Sequence, residues 1–110
     1  MVLSNIGRER IVSLIENDIS SIKYGDDGTS PSKTDTDLIS AFVLEKTPTI
    51  ETSGNRLSAS SIVYSTELNG ETIREEGLYL NDILFDRVVF PDFEKNDENE
   101  FVITNTIRVV

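Results

Sequence analysis

Carboxylates and hydroxyls are the groups through which this chain could do chemistry, because it contains neither histidine nor cysteine. That removes the Ser-His-Asp and Cys-His arrangements of nucleophilic catalysis. It also removes the commonest metal ligand and any disulfide or thiolate site. Two carboxylates flanking one bond can act as acid and base, and Arg74-Glu75-Glu76 offers such a pair. The pair sits inside a β-like segment, where charge at a strand edge explains it more simply. Asp26, Asp27, Asp35 and Asp37 lie close together, and hard cations such as calcium prefer oxygen ligands. Their spacing is not that of an EF-hand loop and the closing glutamate is missing, so turn formation and capping account for them. There is no P-loop and no GxGxxG. Glycan platforms favour aromatic residues, and the chain has no Trp, three Tyr and five Phe, most of which a core would consume. The expectation is a protein that is not an enzyme, with no catalytic, cofactor-binding or metal-ligating residue.

The elements that would position these side chains follow from composition and pattern. A chain of 110 residues forms one domain over residues 1–110, able to bury ~65% of its unfolded surface. Its 37% hydrophobic and 27% charged residues are globular values. No run of ~18 apolar residues marks a membrane span, and MVLSNIGRER has no apolar signal-peptide core. The formal charge of −10, from 20 acidic against 10 basic residues, favours solubility and opposes nucleic-acid binding, since phosphates would be repelled. The same charge would suit a high-salt environment.

One amphipathic helix is expected over about residues 5–20, capped by Ser4 or Asn5, with Ile11, Leu14, Ile15, Ile19 and Ile22 forming its apolar stripe. From residue 21 on, the pattern is β. Ser21–Tyr24 reads as a short strand, and Gly25–Pro31 as a turn-rich loop. Thr34 or Asp35 would cap a single helical turn over Asp37–Ala41. Phe42–Thr47 is a short strand ended by Pro48, Thr49–Asn55 a hairpin loop, and Arg56–Leu68 the longest β segment. The central feature is Thr72–Leu80 and Ile83–Phe90, a hairpin closed by Asn81-Asp82. Both of its faces are largely apolar, which predicts cover on two sides, by the core and by a helix or neighbouring subunit. Within it, Gly77 predicts a bulge or close backbone approach, and Arg87 is placed to meet Glu75 or Glu76 across the ladder. Pro91–Asn99 reads as an acidic loop. Glu100–Val110 alternates as a strand with one wet face, where Asn105 falls on the apolar side and needs a hydrogen-bond partner. The fold class is therefore mainly β: an antiparallel β-sandwich or barrel of Greek-key or jelly-roll type with one N-terminal helix.

Several of these segments carry a resemblance. Asn5-Ile6-Gly7-Arg8 leads the helix. Tyr24-Gly25-Asp26-Asp27-Gly28-Thr29-Ser30-Pro31, followed by Thr34–Leu38, resembles a GxGTxxPxxxDTxL segment. Ile73–Tyr79 and Leu84–Phe90 resemble an I-x-E-x-G-L-F … L-x-A-R-x-x-F segment. Phe101–Ile107 is similar to an L-x-I-T-W-T-I ending, with Asn105 in place of the aromatic. Together they resemble small structural proteins of the tail or tail fibre of tailed phages and archaeal tailed viruses. The resemblance implies a virion protein of the tail, baseplate or fibre, without reaction or cofactor. Its partners would be other virion structural proteins and copies of itself, a trimer foremost. A capsid decoration or turret protein is the near alternative. A module that recognises a host receptor or glycan through Asp26–Asp37 and Pro91–Asn99 is the more distant one.

Overall fold

The computed structural model describes residues 1–110. Helix α1 (Asn5–Asp18) leads into seven strands: β1 (Ile19–Gly25), β2 (Ala41–Lys46), β3 (Thr49–Ser53), β4 (Arg56–Val63), β5 (Thr72–Leu80), β6 (Ile83–Glu94) and β7 (Phe101–Arg108). They form an antiparallel β-sandwich, with one sheet of order β2-β1-β5-β6 and a second of order β3-β4-β7. Alternation decides which side chains enter the core. Leu57, Ala59 and Val63 of β4 face Ile22 and Tyr24 of β1 and Leu78 of β5, with Ile73, Phe101 and Val12 of α1 completing the cluster. Phe101 is its aromatic hub, with ring centroids 6.1 Å from Tyr24, 5.2 Å from Phe90 and 4.9 Å from Phe93.

The helix is shorter than its periodicity predicts. Ser4 caps it by accepting from Gly7 N at 3.0 Å, but it ends at Asp18, and Ile19 and Ile22 belong to β1. Strand pairing wins there: Ile19 lies opposite Leu80, and the Ser20 hydroxyl donates to Tyr79 O at 3.1 Å. Val12 is the buried centre of the helix, whereas Leu14 is 48% exposed. The apolar stripe is therefore rotated from the expected one.

Four further boundaries differ from the sequence pattern. Thr49–Ser53 is a strand paired in register with Ser60–Arg56, not a loop; the turn is confined to Gly54-Asn55, with Gly54 at φ 58°. An edge strand with one wet face can be polar, so its Thr and Ser content hides it. β4 stops at Val63, because Glu67 folds back to accept from Tyr64 N at 2.9 Å while Glu67 N donates to Tyr64 O. β6 runs through Pro91 to Glu94. The ladder shifts register between the Ile73 and Glu75 pairings, and a proline at such an irregularity removes no ladder bond. Finally, no helical turn forms over Asp37–Ala41; those residues are extended and bent.

That last segment answers the two-faced apolar character of the central hairpin. Residues 26–40 lie as a strap over the outer face of the β2-β1-β5-β6 sheet and bury Leu38 to 7%. This cover is a segment of the same chain, while Ile83 and Phe85 of the hairpin stay exposed.

Candidate functional site

Glu75 and Glu76 are adjacent in a strand, so they point to opposite faces. Both are fully buried in a central strand, and the expectation of strand-edge charge is corrected. Flanking by β1 and β6 removes them from the edge, and the strap covers the face that would otherwise be wet.

On the outer face, Glu75 anchors the strap. Its Oε1 accepts from Ile39 N at 2.9 Å and from Arg87 Nε at 3.0 Å. Its Oε2 accepts from Ser40 N at 2.9 Å and Asp27 N at 3.1 Å. Arg87, 1% exposed at its side chain, sits beside it. Its remaining donors reach Thr29 O at 2.9 Å, Asp27 O at 3.3 Å and Asp35 Oδ2 at 3.4 Å. Two of the four loop aspartates, Asp27 and Asp35, thus gather around the protein's own guanidinium: Asp27 Oδ1 is also 3.8 Å from Arg87 Nη2. A cation drawn to that cluster would compete with a charge already in place. Asp27 is held below the usual carboxylate range, first by hydrogen bonds from Thr29 and then by Arg87.

A second tie reinforces the C-terminal end of the strap, two residues before Ile39. The Tyr79 hydroxyl donates to Asp37 Oδ1, and Lys23 Nζ stands 4.5 Å from the centre of the Tyr79 ring. The Tyr79 bond holds the Asp37 carboxyl low, while burial raises the phenol. Gly77 completes this face as a close approach. A Cβ there would lie 2.9 Å from Leu38 Cδ2 and 3.1 Å from Leu84 Cδ1.

On the inner face, Glu76 lies between the sheets. Its Oε2 accepts from Asn105 Nδ2 at 3.0 Å, and its Oε1 is buried without a partner. Burial raises its pKa to about 7. The partner that Asn105 requires is therefore a carboxyl from the opposite sheet. Next to it, the Tyr24 hydroxyl shares a hydrogen bond with Ser61, and burial pushes Tyr24 up to about 12.

These arrangements bring together Glu75, Arg87, Asp27 and Asp35, and separately Glu76 and Asn105; they keep Glu75 apart from Glu76. An acid–base pair needs both carboxyls against one substrate, and here the strand itself separates them. The largest groove, about 650 Å³, is open and lined by Asn5, Arg8, Glu9, Gly54, Asn55 and Val110, away from both networks. Buried Lys95 has no counterpart in the sequence reading. Its Nζ donates to Asn69 Oδ1 at 2.9 Å and Asn96 O at 2.8 Å, closing the loop that follows β6. The loop expected over Pro91–Asn99 is consequently short and tied down. Comparison with protein-family models, curated proteins and solved structures finds no match to this chain.

Proposed function

We propose that the chain is a non-enzymatic virion structural protein of a tailed virus, a component of the tail, baseplate or fibre that works by assembly. The observation that carries this reading is how its reactive groups are used. The deepest polar network, Glu75–Arg87 with the strap backbone, pins the protein's own loop. Arg87 and Asp35 border an open groove of about 340 Å³, but the Arg87 side chain is only 1% exposed and its donors are taken by the strap. Meanwhile apolar side chains stand at the margins of the sheets, with Val43 100%, Ile83 71%, Val102 61% and Phe85 47% exposed. Such margins suit contact with copies of the chain or with other virion proteins. The segments similar to tail proteins supply the viral context. Mass spectrometry of purified tailed particles from the source of this sequence, with immunogold labelling, tests it. Stoichiometric presence with label on the tail is expected, label on the head would favour a capsid decoration protein, and absence from particles would reject the virion role.

A recognition module is the second reading, favoured by the exposure of Gly28–Thr34 on a strap tied at both ends. A loop held in this way could present side chains to a receptor or glycan at little entropic cost.

A further inference from the structure

The four edge strands of the sandwich are β2, β6, β3 and β7, and they are not equivalent. Pairing along β2 and β6 is broken by register shifts, and β6 also contains Pro91. β2, β3 and β6 each carry acidic residues: Glu45, Glu51, and Asp86, Asp92 and Glu94. Proline, bulges and charge are the usual devices that keep an edge from pairing. β7 has neither proline nor bulge, and its one charge, Arg108, stands at its last residue. It pairs with β4 over eight consecutive residues without a shift, and no backbone bond outside that ladder reaches it. None of the chain's 20 acidic residues lies in β4 or β7. On a protein of charge −10, this is an edge where two copies can meet without opposing carboxylates.

Charge at the two ends of β7 fixes how they would meet. Arg108 stands directly opposite Arg56 on the exposed face, a like-charge pairing that disfavours the ladder. Neither arginine has an ion-pair partner within the chain, and Glu100, just before β7, has none either. We propose that β7 pairs antiparallel with β7 of a second copy, about a two-fold axis at Thr104. In that register Thr104 faces Thr104 of the second copy, and Glu100 of each chain faces Arg108 of the other. Val102 then lies opposite Thr106, and Phe101 opposite Ile107. Each arginine pair gains a carboxylate, the exposed Val102 gains cover, and the three-stranded sheets join into one of six. The pairing deepens the assembly reading and rests on it for its context, with a two-fold contact in place of the three-fold one expected from the sequence.

The test uses the full chain in sedimentation velocity across a concentration series. A dimer is expected. Thr104→Glu places two carboxylates opposite each other and should raise its dissociation constant about fivefold or more. Glu100→Arg and Arg108→Glu should each weaken it, and the two together should restore it. Thr104 is exposed and on the wet face, so folding, checked by circular dichroism, is unaffected. Because the chain has no cysteine, Thr104→Cys gives a second measure: Cα atoms ~5 Å apart across the axis permit a disulfide. Efficient oxidation to a covalent dimer is expected, against background for Val43→Cys. A trimer, a dimer indifferent to Thr104→Glu, or a monomer at every concentration overturns the pairing. The particle analysis is independent of these results, so the virion role can stand or fall separately.

Discussion

Glu75 and Glu76 show how one peptide bond separates two electrostatic roles. Glu75 is matched by four donors, three of them strap N–H groups and one Arg87. Arg87→Met should therefore cost ~3–5 kcal/mol by leaving the carboxylate short of its counter-charge. Glu75→Leu should cost more, because it strands the guanidinium and three backbone donors together. Urea unfolding checks the order, and amide exchange at Ile39 and Ser40 should accelerate in both. Glu76 has the opposite problem, a buried oxygen with no donor. Its folded pKa of about 7 lies above the ordinary carboxyl value of 4.5, so near neutral pH the native state holds a proton that the unfolded chain releases. Its contribution is thus intact below pH ~4.5 and is lost as pH rises to ~7, costing up to about 3 kcal/mol. Asp27 and Asp37 work the other way, their stabilisation being lost only at acid pH. Glu76→Gln should leave stability near pH 5 little changed and raise it at pH 8, flattening that slope. A variant with the slope of the parent would show that Glu76 is ionised and compensated in the fold.

At the scale of elements, close backbone approach and turn conformation set the tolerances. A Cβ on Gly25 would strike Ser40 O, a backbone atom, whereas one on Gly77 meets side chains only, the ends of Leu38 and Leu84 and the Tyr79 ring. Gly25→Ala should accordingly destabilise more than Gly77→Ala, the latter by ~1–3 kcal/mol, as thermal melts would reveal. Asn81 and Asp82 have φ of 49° and 62°, the conformation of a type I′ hairpin turn that favours Asn-Gly. Asp82→Gly should raise stability modestly, by ~0.5–1 kcal/mol. The turn, the hairpin, the Arg87–Glu75 contact and the demand of Asn105 for a partner were all legible in the sequence, because each is a short-range rule of spacing. The strap was not. Leu38 and Ile39 are the only large apolar residues in a polar run, and only the folded sheet shows that Leu38 is buried and that Glu75 collects the strap's N–H groups. β3 escaped for a related reason: Thr-Ile-Glu-Thr-Ser has a single apolar side chain, and its strand character comes from pairing with β4. Helix α1 was overextended because Ile19 and Ile22 fit a helical stripe as well as they fit β1.

For the whole molecule, the governing quantity is the −10 charge and where it is absent. Two copies approaching along β7 bring their neutral-to-basic strands together, yet the rest of each surface still repels the other. Exposed ion pairs such as Glu100–Arg108 contribute only ~0.2–1 kcal/mol each, and salt screens them together with the repulsion. The repulsion is summed over many carboxylates at longer range, so it loses more when the Debye length falls from ~10 Å at 0.1 M to ~3 Å at 1 M salt. Apolar contacts at the margin, with Val102 61% exposed in the single chain, are not weakened by that screening. Self-association should therefore strengthen as salt rises from low to molar concentration, with the steepest change below ~0.2 M. Sedimentation across that range measures it, and the Glu100→Arg, Arg108→Glu double variant should show the same trend. Dissociation at high salt would mean that attractive ion pairs dominate the contact, and adaptation to a salt-rich environment would then lose its support.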